Sequence, residues 1–407
     1  MLNTPFAPWP QFSEEEVAAV AGVLRSGRVN YWTGQECRSF EDEFADWAGT
    51  THAIAVANGT VALDLALMGL GIGAAYGGSS QDEVIVTPRT FLASVSCVVN
   101  AGARPVFVDV EAESGNISAT TIAPLLTERT KGIIVVHLAG WPADMDAIMA
   151  LASPCGVKVI EDCAQAHGAL WRGRSVGSIG DVGAWSFCQD KIMTTGGEGG
   201  MVTVNDRALW SRMWSFKDHG KSWDAVYERQ HPPGFRWLHD TIGTNWRMLE
   251  MQAAIGRIQL RRMSDWTEAR STNAARLRAA LVPFVGADGI VRAPELKDAE
   301  LLAGSVHAQY KFYAYVRPER LAAGWDRDRI VAEFNAAGVP CYQGSCSEVY
   351  LEKAFEQSIS RPTQRLPTAR QLGDTSLMWL VHPTLTHGEV AQTVDVITRI
   401  FTAATVP

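Results

Sequence analysis

The chain has 407 residues, an apolar fraction of 47% and a formal net charge of -8. That length allows two domains around one large core, and the apolar fraction excludes disorder as the default. Acids and bases are interspersed, so no basic stripe is available for nucleic acid, although a locally positive pocket for an anionic ligand stays open. No apolar run approaches a membrane span, and Met1-Leu2-Asn3-Thr4-Pro5 lacks a basic region followed by an apolar one, so a cytoplasmic chain is expected. The seven cysteines are odd in number and form no Cys-x-x-Cys pair, which argues against a disulfide framework. Cys163 and Cys188 read as small buried thiols. The nine histidines lack the helical spacing of a zinc site, and no metal is expected.

In chain order, Ser13-Glu14-Glu15-Glu16 is a capping box that opens a helix to about Ser26, and Gly27 stops it. Tyr31 to Gly34 is a turn, followed by a short helix through Phe40, Phe44 and Trp47. Strand-like runs lie near 52–56, 83–87, 105–109, 132–136, 157–161, 182–186 and 200–204, and helical runs separate the first five. This alternation predicts an α/β fold of three layers, with a mostly parallel sheet covered on both faces. Ligands of such sheets sit beyond the strand C-termini. Gly69 to Ser80 is expected to be a flexible loop; its glycine spacing is not a dinucleotide fingerprint, because it follows a helix. Lys217 to Asp240, with His231-Pro232-Pro233-Gly234, reads as a long irregular segment of the kind that often carries function. Met248 to about Leu281 reads as one long helix, with an apolar stripe at Met248, Met251, Ile255 and Ile258. It is expected to bridge a large domain, 1–260, to a smaller α+β domain, 261–407. In the latter, Gln309 to Val316 is strand-like, Asp326 to Ala337 helical, Pro340 to Cys346 a turn-rich connection reaching towards the pocket, and Gly388 to Phe401 a final helix.

Two segments carry chemistry. Val157 to Ile160 reads as a buried strand ending in Glu161-Asp162-Cys163-Ala164-Gln165-Ala166. Further on, Trp185-Ser186-Phe187-Cys188-Gln189-Asp190-Lys191 runs into the glycine-rich turn Thr194 to Gly200. A carboxylate at a strand end and a later lysine before a glycine turn suit a pyridoxal phosphate enzyme. There the amine bonds the cofactor aldehyde and the carboxylate keeps the pyridine nitrogen protonated. Asn58-Gly59-Thr60 lies between a strand and a helix at Val61 to Leu67, so its free N–H groups and the helix dipole would hold a phosphate.

On these motifs the chain resembles the DegT/DnrJ/EryC1/StrS family of sugar aminotransferases, within the aspartate aminotransferase-like fold-type I enzymes of pyridoxal 5'-phosphate. The resemblance runs from about Pro8 to about Thr386. It implies that Lys191 is the Schiff-base lysine and Asp162 the ring-nitrogen partner. By the same resemblance Gln165 lies beside the phenolic oxygen, and Ser186 with Gly59 and Thr60 holds the phosphate. The family more often has Ser where this chain has Asn58. Phe91 matches the aromatic that stacks on the cofactor, with core packing as its alternative. The resemblance sends Asn245 to the phosphate of a neighbouring subunit and Arg247 towards the substrate, with capping as the alternative for both. The implied enzyme is a homodimer with shared sites. It moves an amino group from an amino acid, by family habit glutamate, to a nucleotide-linked keto-sugar. A sugar dehydratase on the same fold is the rival, but such members carry histidine in place of the lysine. A non-catalytic cofactor-binding regulator is the other.

Overall fold

The structure, a computed structural model, describes residues 5–230, 236–296 and 303–405. His231-Pro232-Pro233-Gly234 and the first four residues lie outside the described residues. Ser13 opens the helix Glu14–Ser26 with its backbone N–H on Glu16 Oε2 at 2.7 Å. Gly27 ends that helix in the left-handed region that its lack of a Cβ allows.

The central sheet has seven strands. In chain order these are β1 (His52–Val56), β2 (Glu83–Val86), β3 (Arg104–Phe107), β4 (Thr130–Val136) and β5 (Lys158–Asp162). A two-residue hairpin follows, β6 (Leu170–Trp171) with β7 (Arg174–Ser175), and then β8 (Val182–Ser186) and β9 (Gly200–Val204) complete the sheet. The spatial order is β1-β9-β8-β5-β4-β2-β3. Parallel pairing joins β3, β2, β4, β5 and β8, while β9 is antiparallel to both neighbours. The reason is local. Helical crossovers separate the first five strands, but Phe187 to Gly199 contains no helix, so the chain turns back beside β8. Ile133 to Val136, Val159 and Ile160 are buried on both faces, as a covered parallel sheet requires.

A second sheet of order β10-β11-β13-β12 comprises β10 (Val291–Arg292), β11 (Phe312–Val316), β12 (Cys341–Tyr342) and β13 (Ser376–Trp379), all antiparallel. Leu277 and Leu281 from the helix Met263–Leu281, Phe334 from Arg327–Ala336 and Phe401 from His387–Ala404 pack on Phe312 and Trp379. Two crossings tie this sheet to the first. Phe6 joins its core from the N-terminal segment, while Val349, Tyr350 and Phe355 return to the core of the large sheet.

Several expectations need correction. The long helix is two: Glu250–Arg261 and Met263–Leu281. At the join Arg262 has φ -92° and ψ -3°, and its guanidinium holds Ser13 Oγ at 2.8 Å, Glu15 at 2.9 Å and Glu16 at 3.1 Å. The first of these helices starts at Glu250, so Asn245 precedes it rather than capping it. Gly69 and Leu70 finish the helix Gly59–Leu70, and the loop beyond is ordered by Asp82, whose Oδ2 accepts from Gly73 and Ser79 N–H at 2.9 Å each. Lys217 closes the helix Arg207–Lys217, and Trp223–Tyr227 is a short helix inside the segment read as irregular.

Candidate active site

The C-terminal ends of β1, β2, β5 and β8 open into one cavity of about 980 Å³. Asn58, Gly59, Thr60, Phe91, Asp162, Gln165, Ser186 and Lys191 all line it. Each is placed by a local device.

After β1, Asn58 caps the helix Gly59–Leu70, its Oδ1 accepting from Val61 N–H at 2.9 Å. The N–H groups of Gly59 and Thr60 have no acceptor among the described residues. They are the free donors of a helix N-terminus, at the positive end of its dipole. Gly59 lies against Ser186 so closely that an added Cβ would stand 2.4 Å from the serine Cβ. Glycine here lets the serine hydroxyl join the two N–H groups in one anion cradle.

At the end of β5, Asp162 is held on two sides. Ser94 Oγ donates to its Oδ2 at 2.7 Å, and Ala164 N–H donates to its Oδ1 at 3.1 Å. Thr90 and Ser94 hydroxyls lie 2.8 Å apart and continue the chain. Beneath it, His137 braces β4 to β5. Its Nδ1 accepts from Ala143 N–H at 3.0 Å, so the proton sits on Nε2 and donates to Glu161 Oε2 at 3.0 Å. Burial opposes ionisation of Glu161, but His137 and the Gly180 N–H outweigh it and hold the carboxyl below its usual range. Cys163 lies close enough to His137 and Glu161 to share a cation with them, yet the imidazole lone pair is already spent on Ala143. Gln165 is fixed by Ala139 N–H on its Oε1 at 2.8 Å, leaving its Nε2 free to donate.

Lys191 follows β8. Its carbonyl accepts from Trp9 Nε1 at 2.8 Å, which ties the N-terminal segment to the site. Its Nζ lies 3.9 Å from Asp190 Oδ1 and 5.4 Å from the centre of the Tyr310 ring. Asp190 also accepts from the Tyr310 hydroxyl at 2.5 Å. Burial opposes its ionisation, but Lys191, Tyr310 and Lys311 keep the carboxyl below its usual range.

Phe91 is 69% exposed at the cavity edge, which removes the core-packing alternative. Asn245 and Arg247 are not on this cavity. Asn245 forms a lone β-bridge with Asp218, and Arg247 forms one with Val56. The Arg247 guanidinium pairs with Asp218 Oδ1 at 2.6 Å.

Trp9, Thr90, Ser94, Tyr310 and Lys311 belong to the site and were not found from sequence. One signal was available: Lys311 interrupts the apolar run Tyr310 to Val316 at a point where a strand should be buried.

The cavity therefore offers a primary amine, an anion cradle at a helix N-terminus, and a buried, anchored carboxylate. These groups fit the aldehyde, phosphate and basic ring nitrogen of pyridoxal phosphate. The fold and site define a transaminase of fold type I.

The comparisons with known proteins agree. The sequence profile of the DegT/DnrJ/EryC1/StrS aminotransferase family matches residues 10–398, so the chain belongs to that family. It is 34% identical to dTDP-3-amino-3,4,6-trideoxy-alpha-D-glucose transaminase of Streptomyces venezuelae, over 96% of this chain and 93% of that one. It is 33% identical to a UDP-N-acetyl-3-dehydro-alpha-D-glucosamine 3-aminotransferase of Acidithiobacillus ferrooxidans, over 98% and 96%. The crystal structure of an aminotransferase from Psychrobacter cryohalolentis superposes with a TM-score of 0.95 at 60% identity, covering 98% of this chain and all of that one. No helix of the described residues is long and apolar enough to cross a membrane.

Proposed function

We propose that this aminotransferase transfers nitrogen from an amino acid, glutamate first among them, to a nucleotide-linked keto-sugar, with pyridoxal 5'-phosphate held in the cavity described above. The observation that carries the cofactor reading is the convergence of Lys191, Asp162 and the unpaired N–H groups of Gly59 and Thr60 on one space. The sugar reading rests on the relatives whose names specify dTDP- and UDP-linked sugars. When bound, the cofactor supplies an electron sink for the carbon that gives up its proton.

The chain's own groups do the rest. Gly59, Thr60 and Ser186 anchor the phosphate. Asp162, as the anionic partner of the ring nitrogen, keeps that nitrogen protonated, and Ser94 and Ala164 fix its orientation. Gln165 would donate to the phenolic oxygen, and Phe91 would cover one face of the ring. Lys191 would hold the cofactor covalently and, once freed by the donor, would carry a proton away from the donor α-carbon and return it, as general base and then acid. Asp190 and Tyr310 keep the amine near its point of action. Lysine rather than histidine at position 191 favours transfer over dehydration. A screen of UDP-, dTDP- and GDP-linked keto-sugars tests the reading: after glutamate has bleached the bound cofactor's visible absorption, one of them should restore it. Failure of every keto-sugar, with the bleaching intact, would remove nucleotide sugars as acceptors.

The reading includes a two-fold dimer whose sites each take Lys191 from one chain and Asn245 from the other. Two observations support it. Asn245 does not line the cavity of its own chain. The same segment also leaves Trp237 and Ile242 80% and 91% exposed, apolar surface that a second copy would bury. Loss of a hydrogen bond to a charged phosphate costs about 1.5–3 kcal/mol. At limiting cofactor, Lys191→Ala and Asn245→Ala homodimers should therefore both be poorly active. Unfolded, mixed and refolded together, about half of the dimers pair unlike chains, each with one intact site. About a quarter of wild-type activity should then return. No gain, with heterodimers demonstrated, would place both residues in one chain's site.

A further inference from the structure

Lys311 is a second amine in the cavity, and nothing in the roles above uses it. It sits immediately before β11, is 7% exposed, and lines the large cavity. Its Nζ lies 4.8 Å from the centre of the Tyr310 ring, the ring that Lys191 flanks at 5.4 Å. Among the described residues no hydrogen bond or ion pair reaches that ammonium. The charges that act on it are Arg270 and Lys191, which repel it, and Asp190, which attracts it. Asp190 is already shared between Lys191 and the Tyr310 hydroxyl. Burial, and then Arg270, lower the Lys311 amine to about 8. Arg270 adds to the imbalance. It is fully buried, gives NH1 to the Tyr310 carbonyl at 3.3 Å, and leaves Nε and NH2 without a partner.

A buried cation without a counter-charge is costly, and the cost is removed when an anion binds. The cofactor phosphate is not that anion, because the donors of Gly59, Thr60 and Ser186 are gathered to hold it. An amino-acid donor brings one. Its carboxylate is bonded to the same carbon that carries the amine, and that carbon must come within reach of Lys191 for its proton to move. A carboxylate is thereby delivered to the neighbourhood of the ring that both lysines flank. A lysine ammonium, with rotatable donors on a long stem, suits a carboxylate whose angle changes as the donor reacts.

We propose that Lys311 binds the carboxylate of the amino donor and is the charge that makes an amino acid, rather than a simple amine, the nitrogen source. The inference rests on the aminotransferase reading and sharpens it to one residue and one substrate group.

The test separates the two half-reactions of the cofactor-loaded enzyme. In Lys311→Met, with its fold checked by circular dichroism, L-glutamate and L-alanine should both react with KM raised roughly tenfold to a hundredfold, the range for a charged hydrogen bond. The reverse reaction of the aminated sugar product should keep its KM, and the cofactor should stay bound. Lys311→Arg should recover part of the loss. Calorimetric titration of succinate, a carboxylate with no amine to give, should show binding to the wild type that weakens by a similar factor in Lys311→Met. An unchanged donor KM in the variant overturns the inference alone, since the wild type still transfers nitrogen. A defect confined to the sugar half-reaction overturns it in favour of an anion on the sugar nucleotide, its diphosphate or a sugar carboxylate, and loss of the cofactor overturns it in favour of the cofactor phosphate. A wild type inert towards every amino acid sinks the parent reading and this inference with it.

Discussion

Lys191→Ala is expected to lose the covalent attachment of the cofactor and essentially all turnover. General acid–base catalysis by a positioned group is worth on the order of 10²–10⁴, and the covalent foothold is lost as well. The fold should survive. Lys191 is a surface of the cavity rather than a part of the core, and its backbone remains fixed by Trp9 on its carbonyl and by its own N–H on Cys188. Borohydride reduction followed by peptide mapping checks the result: the wild type should carry the cofactor on the Lys191 peptide and the variant on none. Lys311 makes the measurement sharper, because it is a second amine lining the same cavity. Label on Lys311 in the Lys191→Ala protein, with normal turnover, would contradict the assignment of the nucleophile.

Asp162→Asn is expected to fold and bind cofactor but turn over slowly. An opposite charge shifts a pKa by roughly one to three units, which at about 1.36 kcal/mol per unit is about 1.4–4 kcal/mol. The amide keeps the contacts that orient residue 162. Its oxygen still accepts from Ala164 N–H, and its NH2 meets the Ser94 hydroxyl, which can turn to accept. What it cannot do is hold the ring nitrogen protonated. A fall in kcat of roughly tenfold to a thousandfold follows from that energy range. Near-normal kcat with bound cofactor would show that Asp162 is not the partner of the ring nitrogen.

The parts of this enzyme that are legible in its sequence are those written in short runs of chain. Ile133 to Val136 and Val159 to Ile160 are apolar stretches bounded by turns, and they read as covered parallel strands because burial on both faces leaves no polar alternation. Residues at strand ends inherit their place from the strand, which is why Asp162 and the Asn58 to Thr60 turn are expected at one pocket from the sequence pattern, whereas Ser186 is expected there only through the family resemblance. Contacts between distant segments leave no such trace. The Trp9 bond to Lys191 spans 182 residues and the Tyr310 bond to Asp190 spans 120. The break at Arg262 is made by ion pairs to Glu15 and Glu16, far from any apolar pattern. Strand β13 is four residues long and follows directly on the helix Pro367–Thr375, with no turn signal between them. Asn245 and Arg247, which the resemblance sends to a neighbouring subunit's phosphate and towards the substrate, do not line the cavity of their own chain.

The most direct test of the account follows the nitrogen. Enzyme loaded with pyridoxal 5'-phosphate, ¹⁵N-glutamate and the keto-sugar that restores its absorption should yield a sugar product carrying the heavy nitrogen, with 2-oxoglutarate formed in equal amount. Lys191→Ala under the same conditions should yield neither. A product without the label, or 2-oxoglutarate formed with no amino-sugar, would contradict the claim that this cavity transfers an amino group from donor to sugar.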